Sequence, residues 1–258
     1  VSSNNDSIKK TLTVALSLCV VCSVVVSGAA VSLRSKQQFN AEAERKRNIV
    51  QAAGVYDASM SITEQFERFE TRVVDMASGT YVDWNAAEIA AYDQRKASAE
   101  PSTSRALDKA EDIASIRRQA NYALVYLYDG NQDGEADRVV LPVHGYGLWS
   151  TLYGFMALES DVNTVAGFTF YSHAETPGLG GEVDNPAWKA QWIGKNVYDD
   201  GEVALQLVKG GAAPGDAYGV DGLAGATLTS RGVSNLVQFW MGDNGFASYL
   251  SNLKEGKI

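Results

Sequence analysis

The stretch Thr11–Leu33 runs for 23 residues without a charge. As a helix rising ~1.5 Å per residue it reaches roughly 35 Å, enough to cross the hydrocarbon core of a bilayer. In lipid every backbone N–H and C=O must be bonded internally, so a lone apolar span of this length has to be helical. Lys9 and Lys10 precede it; Arg34 and Lys36 follow it. A secretory signal is the competing reading, because Ser27-Gly-Ala-Ala30 offers small residues that a signal peptidase tolerates. The run is longer than the ~7–15 apolar residues of a signal, which favours a retained transmembrane helix. Ser23, Ser27, Gly28 and Ser32 would let a neighbouring helix approach closely, as in a component of a membrane complex.

Cys19 and Cys22 are the only cysteines and both lie inside this span. A C-x-x-C in a cytosolic loop points to redox or metal chemistry. In an uncharged membrane helix the pair reads as two small apolar side chains. Basic residues flank both ends of the span, and Arg45, Lys46 and Arg47 add to its C-terminal side. By local charge alone, the positive-inside rule leans toward a cytoplasmic soluble part.

The 258 residues allow this anchor plus one sizeable soluble domain. A formal charge of −9 argues against a nucleic-acid partner, since phosphate recognition needs a basic face. Ser35–Ala53 is rich in Ala, Glu, Lys, Arg and Gln, and Glu42 and Lys46 stand four apart in the favoured order. It reads as a polar continuation of the helix, with Gly54 as its stop. A short helix is expected over Ser61–Glu70, a hairpin over Val73–Trp84 about Ser78-Gly79, and a helix around Leu107–Arg118. Strands follow at Tyr122–Tyr128, Arg138–Val143, Thr151–Glu159, Thr164–Ser172 and Val203–Leu207. The pattern is that of an α+β domain with a mostly antiparallel sheet and flanking helices.

Few segments carry chemistry. Asp129-Gly-Asn-Gln-Asp-Gly134 matches the first half of a calcium loop, but the twelfth position is Val140 rather than Glu, so a hairpin turn is favoured. His144 and His173 stand far apart, with no second His or Cys near either, and read as hydrogen-bonding residues rather than zinc ligands. Gly145-Tyr-Gly147 lacks the third glycine of a dinucleotide fingerprint, and no phosphate loop or nucleophile elbow is present. His144–Ser150 and Glu175-Thr-Pro-Gly-Leu-Gly-Gly181 set glycines beside bulky side chains. Backbone can approach a ligand there, while Trp149 and Leu179 can cover a planar ring. Lys209, before a Gly-rich loop, can pair with a phosphate or a reduced flavin anion, or simply be solvated.

Asp221-Gly-Leu-Ala-Gly-Ala-Thr-Leu-Thr-Ser230 is the strongest local signal. Beyond it Val233, Leu236, Val237, Trp240 and Met241 recur at helical spacing and Gly242 marks a stop. Thr229 or Ser230 therefore falls at a helix N-terminus, where free N–H groups and the dipole favour an anion. A hydroxyl there can cap the helix, at ~1 kcal/mol, or carry a phosphate. Gly225 and Ala226 leave room for a modifying enzyme, Thr227 can hold phosphate oxygens, and no residue reads as a base for self-modification.

This segment resembles the flavinylation motif of covalent FMN-binding subunits, Ser/Ala-Gly-Ala-Thr-x-Thr/Ser. Together with Asn4-Asn-Asp-Ser-Ile-Lys-Lys-Thr11, the single apolar span and His173–Gly181, it makes most of the chain similar to the covalent FMN-binding C-subunit of bacterial sodium-translocating NADH:quinone oxidoreductases. Ala224 departs from the Ser of many members, a small-for-small change. The resemblance implies FMN esterified through its phosphate to Thr229, with Glu175, Thr176, Gly178 and Leu179 lining the flavin and Trp149 more weakly so. It implies a cytoplasmic segment 1–10, a transmembrane helix 11–33 in the bacterial inner membrane, a helical linker and first part of the soluble domain over 34–120, and an FMN-binding domain over 121–258. The soluble domain would be periplasmic, opposite to the lean of local charge. The implied partners are the other subunits of a multi-subunit complex, a magnesium-dependent flavin transferase using FAD, and the bilayer. The related ferredoxin-linked ion-translocating complex shares anchor, domain and motif; a non-redox anchored module is the reading from a different class.

Deleting residues 11–33 should move the protein from the membrane to the soluble fraction. A cleaved signal would instead give a soluble wild-type chain beginning near Ala30, read by N-terminal sequencing.

Overall fold

The computed structural model describes residues 7–258 and places the uncharged span in one uninterrupted helix, α1 (Ile8–Ala52). The Asn4–Asp6 part of the N-terminal motif and most of segment 1–10 lie outside the described residues. Among the described residues α1 is the one helix long and apolar enough to cross a membrane. Thr13 Oγ1 donates to the Lys9 carbonyl (2.8 Å) and Ser32 Oγ to that of Ala29 (2.9 Å). Hydroxyls bonded to their own helix present no bare polar group to lipid. Gly54, at φ +69°, ends the helical run in the left-handed conformation that glycine adopts at little cost.

The chain divides into two compact units, Val1–Glu44 and Arg45–Ile258. The second begins with the last turns of α1, whose Ile49, Val50 and Ala52 are buried in it. Next come α2 (Ile62–Phe66), opened by a Ser61–Glu64 capping box, and the hairpin of β1 (Phe69–Asp75) and β2 (Thr80–Val82). Two short helices, α3 (Ala86–Ala91) and α4 (Gln94–Ala99), follow, capped by Asn85 and Asp93. β3 (Ser104–Ala106) pairs with β4 (Arg118–Ala120).

The helix expected around Leu107–Arg118 does not form. Asp108 takes the N–H groups of Ala110 and Glu111, and Asp112 those of Ile116 and Arg117. Carboxylates that capture nearby N–H groups offer the backbone turns in place of a helix. Ser115 and Arg117 accordingly sit at positive φ.

β5 (Tyr122–Tyr128), β6 (Arg138–Tyr146), β7 (Thr151–Glu159) and β8 (Val165–Ser172) complete the main sheet, ordered β2-β1-β5-β6-β7-β8 and antiparallel throughout. Strands on both sides of residue 120 thus share one sheet. Asp129–Gly134 turns β5 into β6, with Asp129 accepting from the N–H groups of Gln132 and Gly134. After β8 come a 3₁₀ turn (Gly180–Asp184), α5 (Pro186–Ala190), β9 (Tyr198–Asp199) and β10 (Glu202–Val203). β11 (Gln206–Val208) runs parallel to β12 (Gly219–Asp221). The single strand expected over Val203–Leu207 is therefore divided between β10 and β11. The chain ends in α6 (Thr227–Met241) and α7 (Ala247–Lys254).

Both faces of the sheet are covered, which accounts for the near-continuous burial of β6 and β7. On one face Leu141, Val143, Leu152 and Met156 join Val233, Leu236, Val237 and Trp240 of α6. On the other, Val140, Phe155 and Ala157 join Ile49, Val50 and Ala53. His144 stacks on Tyr153 (5.3 Å) and leaves its carbonyl to Trp240 Nε1 (2.6 Å). Burial, and next the Arg95 charge, lower its pKa to about 4, so the ring is neutral at pH 7.

α6 lies close on the sheet because Gly232 has no side chain: a Cβ there would overlap the Tyr146 carbonyl and stand 2.9 Å from Gly147 Cα. Neither neighbour is a flexible side chain, so the helix itself would have to move. Gly232→Ala should cost about 1–3 kcal/mol and lower Tm by several degrees, measured by thermal unfolding of the soluble domain.

Candidate functional site

The segment between β12 and α6 is anchored at its start. The Asp221 N–H donates to Gln191 Oε1 (3.0 Å), its carbonyl accepts from Trp188 Nε1 (2.8 Å), and its Oδ1 accepts from the Ala212 N–H (2.7 Å). Gly225 then turns the chain at φ +72°, and Ala226 precedes α6 without a side-chain cap. Thr227 is the first residue of the helix and Thr229 the third. Thr229 is therefore not the cap that one reading of the sequence expected. Ser230 fastens this loop instead, accepting from the Leu223 N–H (2.9 Å) and donating to the Ala226 carbonyl (3.0 Å).

Thr229 is 1% exposed, and its Oγ1 donates to Glu175 Oε2 (2.8 Å). The open approach past Gly225 and Ala226 is not found: Ala226 is itself buried and the hydroxyl points inward. Gly180 closes over the pair. A Cβ on it would lie 2.6 Å from Thr229 Oγ1 and 2.7 Å from Glu175 Oε2. The Glu175 carboxylate is held from its far side by the turn after β6. Its Oε1 accepts from the N–H groups of Leu148 (3.1 Å), Trp149 (3.0 Å) and Ser150 (3.1 Å). Gly147 makes room for it, since a Cβ there would stand 2.6 Å from Oε1.

Burial alone would raise the pKa of Glu175. The Trp149 N–H, the Thr229 hydroxyl and the N–H groups of Ser150 and Leu148 outweigh it and hold the group below its ordinary value. Its N–H donates to His173 Nδ1 (3.2 Å), while His173 Nε2 faces Asp184 Oδ2 (2.8 Å), a division that puts the ring proton on Nε2. Both histidines thus sit in hydrogen-bonded or stacked positions, as the sequence suggested.

The other expected residues fall into two groups that meet at Gly225. Trp149 (66% exposed) and Leu179 (42%) join Leu228 (51%) as exposed apolar side chains around the motif, and a Cβ on Gly225 would come 3.0 Å from Leu179 Cδ2. Thr176 turns this loop with its carbonyl, which accepts from Leu179 and Gly181; Gly178 sits at φ +75°. On the other side lies a groove of about 680 Å³, lined in part by Lys209, Ala224, Gly225, Thr227 and Arg231. Thr229 does not line it.

The sequence pointed to Glu175 but not to its contact with Thr229, nor to Leu148, Ser150, Gly180 and Arg231. Arg231, two residues past Thr229 at the head of a helix, was a visible signal for an anion-facing cation. The cradle of N–H groups had none, because any sequence can supply backbone.

Residues 147–242 match the family model of the FMN-binding domain, and both Glu175 and Thr229 fall inside this range. The chain is 52% identical to the C-subunit of the Na(+)-translocating NADH-quinone reductase of Pseudomonas aeruginosa, over 98% of its own length and 99% of that protein. It is 49% identical to the same component of the Vibrio anguillarum reductase, over 100% and 99%. The chain belongs to the C-subunit family of these reductases. Among solved structures, that of Shewanella oneidensis NqrC superposes with a TM-score of 0.77 at 37% identity, covering 83% of this chain and 99% of that one. The C-subunit of the reductase from Parabacteroides distasonis gives 0.65 at 27% identity, covering 85% and 97%. The α+β architecture read from the sequence is that of this family.

A carboxylate whose pKa is lowered on folding stabilises the fold above its unfolded value, near 4.5, and loses that contribution as pH falls through the folded value. Glu175→Gln should therefore cost about 1.5–3 kcal/mol at neutral pH, the range for hydrogen bonds to charged groups. The gap to wild type should narrow steadily below pH 4.5, read by urea unfolding across pH.

Proposed function

We propose that the chain is a membrane-anchored flavoprotein subunit that carries FMN on Thr229 through a phosphoester. In this reading it relays electrons within a sodium-pumping NADH:ubiquinone oxidoreductase complex. The observation that carries it is the Thr229 hydroxyl, held at 2.8 Å by a carboxylate in the first turn of α6 and within the range matched by the FMN-binding domain.

The surroundings fit the group. N–H groups of the first helical turn and the cations Lys209 and Arg231 favour a phosphate nearby. Trp149, Leu179 and Leu228 expose apolar surface beside it, of the kind a flat tricyclic ring covers. Thr227, exposed at the first helical position, can donate to a phosphate oxygen. When bound, FMN supplies the redox chemistry, and the chain supplies attachment, orientation and electrostatics. Attachment also requires Gly180 and Leu179 to move off Thr229, since the hydroxyl is closed off in the unmodified chain.

The anchor would lie in the bacterial inner membrane, with a short cytoplasmic N-terminus and a periplasmic domain. Its partners would be the other subunits of the complex, a flavin transferase for maturation, and lipid. Full-length identity to quinone-reductase subunits favours this complex over the ferredoxin-linked one.

Intact mass and tryptic mapping after incubation with FAD, magnesium and the transferase should show an FMN adduct on the peptide containing Thr229. Thr229→Ala should carry none, while Thr227→Ala should keep it. An adduct that persists in Thr229→Ala would refute the assignment of the acceptor.

A further inference from the structure

We propose that Glu175 is the proton acceptor for the Thr229 hydroxyl when the flavin phosphate is attached, a role that rests on the covalent reading above. The contact is already made: Thr229 Oγ1 donates to Glu175 Oε2 at 2.8 Å. The two carboxylate oxygens are used differently. Oε1 is occupied by three backbone N–H groups and, at 3.3 Å, by Ser150 Oγ. Oε2 faces Thr229, so the oxygen free to gain a proton is the one pointed at the reacting hydroxyl.

The anchoring explains how the base can stay in place while the hydroxyl is uncovered. Glu175 is gripped by Leu148–Ser150, whereas the cover over Thr229 is Leu179 and Gly180. Displacing residues 176–181 would open Thr229 without breaking any of the N–H bonds to Oε1. The other titratable group nearby is badly placed for the task. His173 takes the Glu175 N–H on Nδ1 and faces Asp184 through Nε2.

The step balances without a redox change. The Thr229 Oγ1–P bond forms to the phosphorus on the FMN side of a flavin dinucleotide. The P–O bond to the adenylate breaks, AMP leaves, and the hydroxyl proton passes to Glu175 Oε2. A carboxylate held ionised by N–H donors is a weak base, so it takes the proton as the O–P bond forms rather than beforehand. The transfer also removes a conflict in the product. A charged carboxylate would abut a charged phosphodiester, whereas a protonated Oε2 donates to it.

The test is the rate of FMN incorporation into the full-length chain in detergent, followed by intact mass with FAD, magnesium and the transferase. Glu175→Gln keeps the shape of the group and removes its basicity, and should slow the maximal rate on the order of 10²-fold or more. The chain concentration giving half-maximal rate should change little. Glu175→Asp keeps a base but withdraws it by one methylene, and should be modified faster than the Gln variant and more slowly than wild type. Modification of Glu175→Gln at the wild-type rate, or no faster modification of Asp than of Gln, would overturn the proposal. Should the Gln variant not fold, Asp decides alone: a slowed rate upholds the role and a wild-type rate overturns it. A wild-type chain left unmodified by an active transferase would sink the covalent reading instead.

Discussion

The site is organised by one buried carboxylate. Taking Glu175 out of water is costly, and three N–H groups from the turn after β6 offset that cost by holding its charge. Its second oxygen then fixes the Thr229 hydroxyl. Three segments remote in sequence are thereby tied together: the turn 147–150, the glycine-rich loop after β8, and the first turn of α6. Glycines at 147 and 180 are the geometric condition, because any side chain at either position would intrude on the carboxylate.

The rest of the domain keeps those segments in register. A sheet covered on both faces allows β6 and β7 to be apolar almost throughout, and this gives the turn between them a rigid base. α6 rests on β6 at the distance that Gly232 permits, with Leu236 and Trp240 filling the space below. The start of the motif is held independently by Trp188 and Gln191 on Asp221. The acceptor hydroxyl is thus positioned from both ends of its own segment as well as from across the site. Its burial is consistent with an unmodified chain that protects a polar group it has no other means to satisfy.

A flavin tethered by its phosphate alone leaves ring orientation to whatever surfaces surround it. The exposed Trp149, Leu179 and Leu228 are costly to leave in water and would be relieved by covering. Lys209 and Arg231 stand on the other side of the same loop, where the groove lies. Apolar surface and positive charge are therefore segregated around the motif, matching the two ends of a flavin mononucleotide.

Much of this was legible along the chain, because it depends on local order. The 23-residue uncharged span can only be a helix in lipid, Gly54 ends it, and alternation located β5 to β8 and the hairpin at Ser78-Gly79. The motif 221–230 and the apolar spacing after it located the head of α6 and singled out Thr229. Where side chains competed with local pattern, sequence was a poorer guide. Asp108 and Asp112 diverted Leu107–Arg118 into turns, and the Val203–Leu207 segment was divided between two partners. What only the tertiary structure decided was the pairing of Glu175 with Thr229, 54 positions apart. The same holds for the burial of a hydroxyl that looked exposed. Such a contact depends on which backbone N–H groups converge in space, and every residue but proline carries an N–H, so its identity in the sequence records nothing of where it points.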